Sequence, residues 1–133
     1  MHEVRSAPDA RRHSSATVRI ALPADPSYVR TLRFVVGDAA ARAGFVVDVI
    51  DDIRLAVTEL CCAVISAQST TITVEAVADR REILVIGRVD DAGSAQPELD
   101  AVAAVVVDVI ADACSMQRDG DVVTFTFAKR AVR

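Results

Sequence analysis

The chain has 133 residues, of which 52% are hydrophobic and 26% charged, and its formal net charge is −4. That balance excludes a disordered chain, and the acidic sign argues against the broad basic face of a nucleic-acid binder. The length suits one domain; with aromatics at 4% and no Trp, its core must be built from Val, Ile, Leu and Ala.

In chain order, residues 1–16, "MHEVRSAPDARRHSSA", are polar and aperiodic. They read as a flexible N-terminal tail, leaving 17–133 as the single domain. Both histidines, His2 and His13, fall in the tail, so the body of the domain has no histidine chemistry. "TVRIALP", Thr17 to Pro23, alternates Val18, Ile20 and Leu22 with polar or small neighbours and predicts a strand. Asp25 followed by Pro26 predicts a capped helix start. The first helix is expected over Pro26 to Arg42, with Val29, Leu32, Phe34, Val35, Val36 and Ala39 to Ala41 in apolar contacts, and Gly44 as its stop.

Ile50, Ile53, Val57, Leu60, Val64 and Ala67 keep helical steps of three and four, predicting a second helix from Val47 to Gln68. "TTITVEAV" and "REILVIGRV" alternate and predict an antiparallel hairpin. A loop, "DDAGSAQPE", leads to a third helix expected over Glu98 to Met116. "RDGD" predicts a turn into a last strand with Val123, Phe125 and Phe127 on one side. Strands that alternate are buried on one face only. The order β-α-α-β-β-α-β therefore predicts an α+β two-layer sandwich, a mixed, mainly antiparallel sheet with three helices on one face.

Cys61, Cys62 and Cys114 form no metal-ligand or redox spacing, and are expected as buried thiols in a reducing cytoplasm. The N-terminus lacks an apolar signal core. The most apolar stretch, "AVAAVVVDVIADAC", carries Asp108 and Asp112, so no membrane span is expected.

Four stretches together resemble one known family: "LPADPSYVRTLRFVV", "DDIRLAVTEL", "ILVIGRVDDAG", and "VVVDVIADACSM" with "DGDVVTFTF". They resemble, in order and spacing, the anti-sigma-factor serine kinases of bacterial partner-switching systems. Those kinases are histidine-kinase-like Bergerat-fold ATPases, grouped with histidine-kinase catalytic domains, gyrase and Hsp90. The resemblance implies that Glu59 stands where the family has its general base. The family's magnesium-binding Asn would fall four residues on, and a His often follows four after that. Here those places hold Ala63 and Ala67. A helix acid reaching solvent, or paired with an arginine such as Arg54, is the alternative reading of Glu59.

The same resemblance assigns Asp91 and Gly93 to the adenine region, in an Asp-x-Gly-x-Gly pattern that fails at Ala95. An ordinary acidic turn is the alternative there. The family's glycine lid would fall on Ala101 to Ala104, where no glycine is present and continuous helix is expected. Phosphoryl transfer depends on positioned charge and metal. The chain is thus expected to have weak or no kinase activity, a vestigial Glu59, no metal, and no cofactor beyond weakly held ATP. The function implied is a cytoplasmic anti-sigma factor regulating transcription. It would sequester an RNA polymerase sigma factor and be released by an anti-anti-sigma partner. Arg33, Arg30 and Tyr28 on the first helix would dock the partner, Arg33 being a plain surface charge in the alternative. An active serine kinase and an unrelated ligand-sensing or interaction module are the other two readings. A homodimer is implied by the family; direct contact with nucleic acid or membrane is not.

Overall fold

In the computed structural model, which describes residues 16–66, 68–94 and 96–131, strand β1 runs over Ala16–Pro23. Residues 1–15 of the expected tail, with His2 and His13, lie outside the described residues. After β1, the Asp25 carboxylate accepts the Ser27 amide at 2.9 Å, and this bond holds its pKa below the usual carboxylate value. Pro26 opens a single 3-10 turn, Pro26–Tyr28, before helix α1, Val29–Arg42. Gly44, at φ +97°, ends α1. Its amide reaches the Ala41 carbonyl and that of Phe45 reaches Ala40, the paired bonds of a Schellman cap.

Helix α2 covers Val47–Val64 and buries Ile50, Ile53, Ala56, Val57, Leu60, Cys61 and Val64. It stops four residues short of the Gln68 expected from periodicity. The cause is Ser66, whose amide donates to Ser69 Oγ at 3.1 Å and whose hydroxyl donates to the Ala92 carbonyl at 3.2 Å. Serine side chains here compete with the helical bonds of the backbone. Ala67 lies outside the described residues.

Strands β2, Thr71–Ala78, and β3, Glu82–Val89, form the expected hairpin, closed by Asp79 accepting the Arg81 and Glu82 amides at 2.8 and 2.9 Å. Helix α3 covers Ala101–Ile110, capped by Asp100, which accepts the Ala103 amide at 2.8 Å. The chain then departs from expectation. Instead of helix to Met116, Ala113–Asp119 is strand β4, which turns through Gly120 into β5, Val122–Arg130. Asp112 makes the switch, its amide bonding Ala128 O and its carboxylate accepting the Arg130 amide.

The sheet therefore has five strands in the order β1-β2-β3-β5-β4, every neighbouring pair antiparallel. Ile72, Val74, Ile83, Val85, Val89, Val123, Phe125 and Phe127 project from one face and are buried with the helices in a single core. Thr73, Glu75, Leu84, Ile86 and Thr126 alternate with them and stay partly exposed. Three helices thus cover one face, the α+β two-layer arrangement that strand alternation implied. Each large side chain sealed in this core stabilises it by about 1.5–3 kcal/mol. Phe34 differs from expectation: it is 71% exposed, because Val29, Leu32 and Val36 take the inward face of α1.

Candidate functional site

Glu59 sits on α2, half-buried, at the rim of a cleft between α2 and the start of α3. The cleft, about 220 Å³, is lined by Glu59, Cys62, Ala63, Glu98, Leu99, Asp100 and Ala103. Three carboxylates face it and no Lys or Arg lines it. Arg54 turns elsewhere, its guanidinium 3.6 Å from Asp51, so it is not the partner of Glu59. Ala63 supplies no oxygen, and Ala101 to Ala104 form the first turn of α3, with Ala103 buried. Among the described residues no group of three or more His, Cys, Asp or Glu is arranged to hold a metal ion. A magnesium triphosphate needs oxygen ligands for the ion and cations or amides for its phosphates. The cleft offers carboxylate oxygens but no lysine or arginine for the phosphates.

The adjoining cleft, about 200 Å³, lies where the resemblance puts the base, and is lined among others by Ser66, Ala92, Gln96, Pro97, Glu98 and Arg118. That volume is below the roughly 300–1,000 Å³ usual for small-molecule sites. Gly93, at φ +70°, belongs to the turn beside it, and the Gln68 side chain packs against its α-carbon. Arg118 Nη1 donates to Gly93 O at 2.6 Å and to Gly120 O at 3.1 Å, while Ala92 donates its amide to Asp121 O at 2.8 Å. The turn is thus pinned by β4, by the β4–β5 turn and by Ser66. Asp91, at φ +53°, is exposed and does not line either cleft. Ala95 lies outside the described residues. Arg118, which holds this turn, was not legible in the sequence because β4 itself was not.

A third, wider groove of about 530 Å³ runs between the start of α1 and the middle of α2. It is lined by Pro26, Ser27, Val29, Arg30, Thr31, Arg33, Thr58 and Cys62. Two arginines and three hydroxyls face it, and no acid does. Arg30 and Arg33 are therefore brought together. Tyr28 ends the 3-10 turn beside them, 41% exposed, and Phe34 follows on the outer surface of α1. Phe34 is a residue of this face that apolar periodicity had assigned to the core.

Cys62 lines all three clefts and is exposed, as is Cys114; only Cys61 is buried, which corrects the expectation for the other two. Burial, with a smaller effect of Cys62, pushes the Cys61 thiol up to about 12. Cys62 is raised by partial burial and then by the nearby Glu59 carboxylate, and Cys114 by partial burial.

Residues 22–127 match the family model of the histidine kinase-like ATPase domain. The chain belongs to that family. The chain is also similar to a solved structure from Mycobacterium tuberculosis, that of the RsbU and RsbW domains of Rv1364c. This domain aligns with it at a TM-score of 0.70 and 17% identity, over 89% of its own length. It spans 33% of that longer chain, and at 17% identity the likeness is one of fold alone. No curated protein matches this ATPase-like domain in sequence. No helix among the described residues is long and apolar enough to cross a membrane.

Proposed function

We propose that this chain is a bacterial anti-sigma regulatory factor that acts by binding rather than by phosphoryl transfer. It sequesters an RNA polymerase sigma factor in the cytoplasm and releases it when an anti-anti-sigma protein competes for the same surface. The observation that carries the reading is the contrast between two neighbouring clefts of one scaffold. The cleft at Glu59 holds Glu59, Glu98 and Asp100 without a cation, while the α1 groove holds Arg30 and Arg33 without an acid. The first is poorly suited to phosphates. The second suits the carboxylates of a protein partner, since arginine pairs with them through two parallel bonds. The sequence resemblance to anti-sigma serine kinases supports the choice of partner.

The test is co-purification from the native cytoplasm, followed by reconstitution with the purified partners. A sigma factor should be retained without nucleotide and displaced by an anti-anti-sigma protein without ATP. Retention of no sigma factor, or displacement only with ATP, overturns the proposal.

A further inference from the structure

Helix α3 reads AVAAVVVDVI, and it is more apolar than one buried face requires. Ala103, Val107 and Ile110 point into the core. On the opposite side Val102, Val105 and Val109 are 75%, 62% and 77% exposed. Steps of three and four put these valines on one stripe. The exposed Ala101 and Ala104 beside them leave room for a second backbone to approach closely. Scattered exposed apolar residues need no explanation, but a contiguous stripe marks a contact surface.

We infer that the outer face of α3 docks an amphipathic helix of another protein whose apolar stripe is flanked by lysine or arginine. Charge decides the occupant. From Pro97 to Gln117 the chain has four acids, Glu98, Asp100, Asp108 and Asp112, and no Lys or Arg. Asp100 is engaged in the helix cap and Asp112 with the Arg130 amide, which leaves Asp108 exposed beside Val109 on the helix and Glu98 exposed in the segment just before it. A second copy of this chain would bring two such acidic sets together. An anionic bilayer would be repelled by the same acids. A basic amphipathic helix satisfies both features, apolar contact along the valines and ion pairing at the rim. This surface is independent of the α1 groove, since α1 packs on α2 and α2 in turn on α3.

The probe is a pair of synthetic helical peptides with the same leucine stripe, one flanked by lysines and one by glutamates. Fluorescence anisotropy on the full chain should show the lysine peptide binding about tenfold or more tightly than the glutamate peptide, a difference of about 1.4 kcal/mol. Val105→Asp or Val109→Asp should weaken that binding at least as much with an unchanged circular dichroism spectrum. Asp108→Lys should reduce the preference, and Arg33→Ala should leave it intact. Equal affinity for both peptides, no binding of either, or loss on Arg33→Ala overturns the inference. So does a wild-type dimer in sedimentation that Val105→Asp dissolves, because the occupant would then be a second copy.

Discussion

Gly87 of β3 and Phe125 of β5 stand opposite each other in the ladder, and the phenyl ring lies over the glycine α-carbon. A β-carbon at Gly87 would overlap the ring, which is wholly buried and has no room to swing away. The Gly87 backbone is not in the left-handed region, so the cost of a side chain there is steric. Gly87→Ala should destabilise the fold by about 1–3 kcal/mol, as overpacking of a tight core does. Urea unfolding monitored by circular dichroism measures it. Phe125→Leu shortens the ring and should cost less in the Gly87→Ala background than alone, a coupling expected for residues in direct contact. Additive costs would show that the two do not touch.

Period-two alternation made β2, β3 and β5 legible, because each has one face on the core and one toward solvent. The same argument failed at Ala113–Asp119. As an outer strand of the sheet, β4 has Ala113, Cys114 and Ser115 all exposed and only Met116 and Arg118 partly buried, so its sequence carries no apolar alternation to read. The apolar run of α3 ahead of it extended the expected helix into that stretch. Arg118 and its hold on Gly93 were hidden for the same reason. The end of α2 was misplaced because periodicity continues to Ala67, while the Ser66–Ser69 hydrogen bonds, which stop the helix, depend on side-chain geometry. Phe34 shows a different limit. Hydrophobicity alone assigns a phenylalanine to the core, and an exposed one becomes visible only when Leu32 and Val36 have been placed inward.

Of the groups around Glu59, the sequence showed the missing ones, Ala63 and the alanines of α3. It did not show that Glu98 and Asp100 close over the same cleft. Their charge sharpens the expectation for nucleotide. Calorimetry with ATP and magnesium should give no affinity tighter than about millimolar, roughly −4 kcal/mol. Ala63→Asn returns one oxygen ligand but leaves the three carboxylates and the Ala101 and Ala103 methyl groups, so it should not raise the affinity appreciably. A micromolar dissociation constant for the wild type would mean that other groups bind the phosphates.

The three thiols should separate cleanly in alkylation by iodoacetamide at mildly alkaline pH. The thiolate is the reacting form, so a raised pKa slows the reaction. Cys61, buried and pushed up to about 12, should label only after unfolding. Cys62 and Cys114 are accessible but should react more slowly than an unstructured cysteine. Glu59→Gln removes a negative charge that disfavours the Cys62 thiolate. It should lower that pKa and quicken labelling at Cys62 while leaving Cys114 unchanged. Partial burial is the larger cause at Cys62, so the gain should stay below about tenfold, the equivalent of one pKa unit. Equal rates in both proteins would place the Glu59 carboxylate out of reach of the thiol.

Arg33 and Phe34 give the sharpest test of the partner surface. Arg33 is exposed at the edge of the α1 groove, and Phe34 is exposed beside it, so neither supports the core. Substitution at such positions usually changes stability by no more than about 0.5 kcal/mol. An arginine or aromatic that anchors an interface costs about 1–3 kcal/mol or more when truncated. Arg33→Ala and Phe34→Ala should therefore unfold at the wild-type midpoint and yet bind the proposed sigma-factor partner about five- to 150-fold more weakly. Arg33→Lys keeps the charge but not the two-pronged geometry, and should recover only part of the loss. Binding to the proposed anti-anti-sigma competitor should fall in parallel, because the proposed competition requires that both partners use the groove. Wild-type affinity of Arg33→Ala for both proteins would remove the groove from the interface, and the release mechanism with it.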